Sequence, residues 1–228
     1  MNVTYITGTD TDVGKTLATA ALAVALAATG ARVAVYKPTQ TGVSGDGHGD
    51  VNEVARLGGI QAVHEGVRLT DPMAPVAAAS RENRELPALQ FHVDRIAELA
   101  AAHDHVLVEG AGGLLVQLDA AGHTLADLAA AGRRNARTAF VVVCRSGLGT
   151  LNHTFLTLEA LARRGFAAPA LVIGSWPAAP SEVEVSNREI LQNHGAAPFL
   201  GCLPAGASRL DPHTFRALAP GWLQLPPW

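Results

Sequence analysis

A short apolar run at residues 3–7 breaks into Gly8-Thr9-Asp10-Thr11-Asp12-Val13-Gly14-Lys15-Thr16, and an Ala- and Leu-rich helical stretch at 15–29 follows at once. A strand that turns through Gly-Lys-Thr into a helix reads as a phosphate-binding loop, which is built on α/β architecture. The N–H groups from Gly14 to Thr16 would point inward around an anion, and the helix N-terminus adds its partial positive charge. Lys15 would then reach the β- and γ-phosphates of a nucleotide, and the Thr16 hydroxyl a Mg²⁺ ion. Asp12, Val13 and Leu17 are expected to complete the stretch that would wrap the triphosphate. The spacing departs from the usual pattern: five residues separate Gly8 from Gly14, so Thr9 stands where a glycine is expected. Asp10 and Asp12 cap backbone amides, help to hold cations, or are solvated turn residues.

Downstream, short apolar runs at 32–36, 105–108, 138–144, 170–174 and 199–203 alternate with helical stretches at 50–57, 89–102, 124–131, 150–164 and 182–193. Residues 69–87 read as irregular. A continuously apolar strand such as TAFVVVC suits a parallel sheet covered on both faces. The alternation predicts a single-domain, doubly wound α/β fold over residues 1–228, with a mostly parallel sheet of about seven strands and helices on both faces. Ligands bind such sheets beyond the carboxyl ends of their strands. Hydrophobic residues at 48% supply a core, so disorder is excluded. The net charge is −3 and no basic block exists, which argues against a nucleic-acid partner. Two cysteines, Cys144 and Cys202, build no disulfide framework, so a reducing compartment is expected. The N-terminus carries no signal-peptide pattern, and the apolar run at 17–28 is too short to span a bilayer. These features predict a cytoplasmic protein with no membrane partner. Pro-rich stretches occur at 71–75 and in the tail at 225–228, and neither reads as a domain linker.

The unusual residues follow the strands. The second strand runs into Lys37-Pro38-Thr39-Gln40-Thr41-Gly42. A lysine there either faces the phosphate loop, where it could stabilise a transferring phosphoryl group, or is a surface residue that ends a strand. Asp50 stands where a helix begins, as an N-cap or a metal ligand. Glu109, before Gly110-Ala111-Gly112-Gly113, sits where a carboxylate ligand for Mg²⁺ belongs, and the glycines permit close backbone approach. His103-Asp104-His105 reads as a solvated loop, and Cys144 as a small apolar residue in a buried strand.

Taken together and in this order, GTDTDVGKT, KPTQTG, Asp50, EGAGG and GLGTLNHT resemble the dethiobiotin synthetase family of the biotin pathway, over essentially the whole chain. The resemblance implies a cyclo-ligase that uses ATP and Mg²⁺ to carboxylate 7,8-diaminononanoate with CO₂ (or bicarbonate) and to close the cyclic urea, through a carbamate and a carbamic–phosphoric mixed anhydride. It implies that Lys15 and Thr16 bind triphosphate and metal, that Asp50 and Glu109 complete the metal site, and that Lys37 contacts carbamate and γ-phosphate. Thr11 and Thr41 would hold the reacting nitrogens and the carbamate. It further implies a homodimer with the active site at the subunit interface. The substrate carboxylate would lie at a helix N-terminus from the partner, here Gly147-Leu148-Gly149-Thr150-Leu151-Asn152. Gly174, Ser175, Pro204, Ala205 and Gly206 would line the base pocket. The family often places an Asn after the strand at 171–174; here Gly174-Ser175-Trp176-Pro177 stands instead, so other nucleoside triphosphates are expected to be accepted beside ATP. Trp176 either stacks on the base or packs against the core.

Rival readings lack their signatures. A guanine-reading Asn-Lys-x-Asp is absent, as is the second lysine early in the loop that a partitioning ATPase would carry. The chain leaves no room for the glutaminase domain of a cobyrinate-type amidase. A small-molecule kinase would need a denser arginine lid than Arg81 and Arg84.

Overall fold

The computed structural model describes residues 1–134 and 136–225; residues 226–228 of the Pro-rich tail lie outside the described residues. Its strands are β1 (Asn2–Gly8), β2 (Val33–Gln40), β3 (Val63–Arg68), β4 (His105–Gly113), β5 (Arg137–Cys144), β6 (Ala170–Trp176) and β7 (Phe199–Pro204). They form one seven-stranded sheet in the order β3-β2-β4-β1-β5-β6-β7, parallel throughout. The helices are α1 (Lys15–Ala27), α2 (Asp50–Gly58), α3 (Pro75–Arg81), α4 (Leu89–Ala102), α5 (Leu125–Gly132), α6 (Thr150–Arg163), α7 (Glu182–Gln192) and α8 (Pro212–Leu218).

Successive strand residues feed opposite faces, as the pleat requires. Val106 and Val108 of β4 join a core covered by α4, α5, α6 and α7, whereas Leu107 joins a second core under α1, α2 and α8. The sheet is thus buried on both sides, which is why its central strands are almost wholly apolar. β1 lies between β4 and β5, with β2 and β3 beyond one neighbour and β6 and β7 beyond the other. The chain reverses direction across β1, and the crevice at that switch point is where such folds bind ligands. Among the described residues no helix is long and apolar enough to cross a membrane.

Several elements differ from the sequence reading. β3 was not anticipated: it is an edge strand of sequence VHEGVR with mostly half-buried side chains, so no clean apolar pattern marks it. The stretch at 69–87, expected to be irregular, contains α3, whose proline occupies the first turn, where its missing N–H costs nothing. α8 was also missed; Asp211 caps it by accepting from the backbone N–H groups of His213 and Thr214. β2 and β4 run further than expected, so Lys37 and Glu109 lie within strands. Pro38 is tolerated because β4 pairs with β2 only as far as Tyr36.

Candidate active site

A cleft of about 810 Å³ opens beyond the carboxyl ends of β1, β2, β4, β6 and β7. The loop after β1 forms its floor. Asp12 adopts a left-handed conformation (φ 58°) and Gly14 another (φ 96°), which turn the chain sharply into α1. Gly14 N-caps α1 without any side-chain bond to the helix, so the first-turn N–H groups face the cleft free of a cap. Gly174 of β6 packs directly on this bend: a Cβ built on it would lie 1.9 Å from the carbonyl oxygen of Val13, and one on Gly14 would lie 2.5 Å from the carbonyl oxygen of Gly174. Glycine is therefore required at both positions for loop and strand to meet.

The charged groups form one connected set. Glu109 is 1% exposed and Lys37 3%. Lys37 Nζ donates to Glu109 Oε1 at 2.8 Å and also pairs with Asp50 Oδ2. The Thr16 hydroxyl donates to Glu109 Oε1 at 2.9 Å, and the Thr19 hydroxyl lies 2.8 Å from Glu109 Oε2 and 3.0 Å from the Lys15 carbonyl oxygen. Lys15, also buried, donates to the carbonyl oxygen of Asp10 at 2.9 Å. Burial depresses the Lys15 pKa, and Glu109 only partly opposes that. Burial pushes Lys37 the same way, but the attraction of Glu109 and Asp50 outweighs it and the pKa rises. Burial works against ionised Asp50, yet Lys37 holds its carboxyl below the ordinary value.

These placements resolve what the sequence left open. Lys37 is a buried cleft residue. Asp50 is the first residue of α2 while Gly49 is the N-cap, so its carboxylate is free to meet Lys37. Asp10 accepts from the backbone N–H of Thr11 at 2.7 Å and from Arg145 at 3.2 Å, whereas Asp12 is an exposed cleft residue. Trp176 packs against the first core, with the Arg188 guanidinium 5.1 Å from its ring centre, and does not line the cleft.

The cleft brings together Thr11, Asp12, Gly14, Lys15, Thr16 and Leu17 with Lys37, Thr41, Asp50 and Glu109, and at its other end Gly174, Ser175, Pro204 and Gly206. The side chain of Val13 turns into the second core, and exposed Ala205 does not line the cleft. The segment Gly147, Leu148, Gly149, Thr150 and Asn152 is not part of this cleft either. It forms the turn into α6, with Leu148 92% exposed, Asn152 exposed and the Thr150 hydroxyl donating to the Arg145 carbonyl oxygen. Sequence reasoning missed Thr19, whose signal was its place as the polar interruption in an apolar helix, and Gln40, whose Oε1 accepts from the Asp50 N–H at 2.8 Å.

Oxygen donors from Thr16, Asp50 and Glu109 at one wall are the set a small hard cation takes beside phosphate oxygens. Among the described residues, no group of three or more His, Cys, Asp or Glu side chains could hold a metal by itself.

Fold and cleft define an α/β nucleotide-binding protein of the phosphate-loop class, and a family model described as an AAA domain (AAA_26) matches residues 2–212. The chain is 50% identical over 226 residues to the ATP-dependent dethiobiotin synthetase BioD of Streptomyces coelicolor, covering 99% of this chain and 93% of that protein. It is 48% identical over 222 residues to the protein of the same name from Rhodococcus jostii, covering 97% and 94%. The chain belongs to the dethiobiotin synthetase family, a family of ligases. FtsY from Mycoplasma mycoides (TM-score 0.51, 12% identity, 97% of this chain and 68% of that one) and MinD from Aquifex aeolicus (TM-score 0.50, 14%, 96% and 87%) share the fold alone.

Proposed function

We propose that this enzyme carboxylates 7,8-diaminononanoate with CO₂ and closes the ring to dethiobiotin, the penultimate step of biotin biosynthesis, with cleavage of ATP to ADP and phosphate. The observation that carries this reading is the convergence of two buried lysines and two carboxylates beside a phosphate loop. A carbamate and a triphosphate repel each other, and bringing them in line needs fixed cations between them.

One amine nitrogen forms a C–N bond to CO₂ and releases a proton, giving a carbamate held by Thr11, Thr41 and Lys37. A carbamate oxygen then attacks the γ-phosphorus, and the bond to the β-phosphate oxygen breaks as ADP leaves. Lys15 and the N–H groups from Gly14 to Thr16 hold the phosphates, and Lys37 offsets charge on the transferring group. The second amine attacks the carbamoyl carbon, the C–O bond to phosphate breaks, and that nitrogen loses its proton. Thr16, Asp50 and Glu109 would hold Mg²⁺, which supplies charge neutralisation on the phosphates when bound. Leu17 and Ser175 together with Pro204 and Gly206 would border the base.

The whole chain acts as one unit in this reading, in the cytoplasm and as a homodimer. Exposed Leu148 and the position of residues 147–152 outside their own cleft support a helix start that serves a partner's substrate carboxylate. The test is mass spectrometry of the product from diamine, ¹³C-bicarbonate and ATP. A cyclic urea carrying the label is expected. Phosphate release that ignores the diamine, or a product without label, would overturn the assignment.

A further inference from the structure

The segment that delivers Asp50 to the cleft is poor in structure of its own. Residues 41–49 contain Gly42, Gly45, Gly47 and Gly49 and belong to no helix or strand. Glycine-rich backbone has much conformational freedom to lose, so something else must fix where α2 begins. Arg68, at the end of edge strand β3 and in register with Gln40, does so with its whole guanidinium fork. Its Nη1 donates to the carbonyl oxygens of Gly45 (3.1 Å) and Gly47, and its Nη2 to Asn52 Oδ1 at 3.3 Å. Glu65 orients the fork from below, accepting from Nε and Nη2 at 2.8 Å each. Asn52 Oδ1 in turn accepts from the N–H of Gly49, the residue before Asp50. A Cβ on Gly49 would lie within 3.0 Å of Glu65, Arg68 and Gln40, so the backbone rests directly on this platform. The pair is half-buried, with side-chain exposures of 22% for Arg68 and 15% for Glu65.

We infer that Arg68 is a positioning residue for the metal-side carboxylate: it pins the glycine loop at 45–49 so that Asp50 is held against Lys37 and Glu109. The inference rests on the reading of Asp50 as a metal ligand. It needs a planar, many-donor cation at this position. A lysine carries the charge but cannot reach two loop carbonyls, Asn52 and Glu65 together.

The test compares Arg68→Gln, Arg68→Lys, Asp50→Asn and, as a control, Arg32→Gln, which removes an exposed fork-to-carboxylate pair with Asp104 elsewhere on the fold. Two Mg²⁺ titrations are read for each: half-maximal activity, and the Mg²⁺ needed for half the gain in nucleotide affinity without diamine. Both midpoints are expected to rise about tenfold in Arg68→Gln and by less in Arg68→Lys. Nucleotide affinity in EDTA should stay unchanged, and Arg32→Gln should match wild type. Amide exchange at residues 44–52 should quicken in the Arg68 variants. If Arg68→Gln does not fold, Arg68→Lys decides. A shifted midpoint in Asp50→Asn with none in the Arg68 variants would overturn this inference while the reading of Asp50 stood. An unmoved midpoint in Asp50→Asn would overturn that reading, and this inference with it.

Discussion

Replacing Lys37 with alanine should damage stability and chemistry together, in a way that depends on pH. The side chain fills a buried position between Glu109 and Asp50. Breaking a buried ion pair by removing one partner costs about 3–5 kcal/mol, because the other charge is left uncompensated. Here Thr16 and Thr19 still face Glu109, and Asp50 is 36% exposed on its side-chain surface, so the low end applies, ~3 kcal/mol. For a chain of this size that is a fall in Tm of roughly 6–12 °C. The sign of the pH effect follows from the shifts. Lys37, with a raised folded pKa, stabilises fully below the ordinary lysine value, and this is lost as pH rises through the folded value. Asp50, with a lowered pKa, stabilises above the ordinary aspartate value, and this is lost as pH falls. At neutral pH wild type therefore has both contributions. In Lys37→Ala the direct ion pairs are gone and only Lys15 is left to act on the two carboxylates from a distance, so Asp50 is relieved by taking up a proton. Thermal unfolding from pH 8 down to pH 5, beside turnover and nucleotide Kd, checks this. Turnover should vanish with most nucleotide affinity kept, and the Tm deficit should shrink toward pH 5. Wild-type-like turnover, or a deficit that is below ~1 kcal/mol or flat with pH, would refute the reasoning.

Other substitutions read other parts of the cleft. Gly174→Ala forces a Cβ onto the Val13 carbonyl oxygen and should cost about 1–3 kcal/mol by overpacking, with a weakened nucleotide Kd; unchanged Kd and Tm would show that loop and strand can part freely. Glu109→Gln should raise the Mg²⁺ needed for half activity, and a titration curve that does not move would make Glu109 purely structural. Mixing Lys37→Ala with Asn152→Ala should restore part of the activity if the α6 start serves the neighbouring subunit; no recovery despite demonstrated exchange would place each site within one chain. Turnover with ATP, GTP and CTP should differ only by about 1–2 kcal/mol in kcat/KM, roughly tenfold, since among the described residues no side-chain amide lines the base end; a preference beyond a thousandfold, ~4 kcal/mol, would mean that backbone groups read adenine.

How legible the site was in the sequence depends on how its parts are encoded. The phosphate loop, Lys37 and Glu109 stood out because each follows an apolar run directly, and a parallel sheet gathers such positions at one end. Their bonding did not stand out. That Thr19 and Lys37 meet one carboxylate depends on β4 lying between β1 and β2, a strand order no local pattern spells out. β3 was hidden because an edge strand buries only part of each side chain, and Arg68 with it, since its loop partners lie 21 and 23 residues upstream. Gly174 was legible as a strand-end residue, but its reason is steric contact with the loop, which spacing alone could not reveal.

The use of cations in this chain separates scaffold from chemistry. Lys15 and Lys37 are its only lysines; every other permanent side-chain cation is an arginine. The arginines do what a planar fork does well. Arg32 grips Asp104, Arg68 grips Glu65 and the glycine loop, and Arg145 ties Asp10 and the Thr11 carbonyl to the start of the next loop. The two lysines instead sit buried at the cleft, where a compact charge on a flexible stem can face a phosphate without claiming a plane of acceptors. An arginine at position 37 would project a bulkier fork into the space between Asp50 and Glu109. The restriction of lysine to these two positions therefore matches the proposed chemistry, in which the cleft cations would approach moving phosphoryl oxygens, while the cations that hold the frame can be rigid.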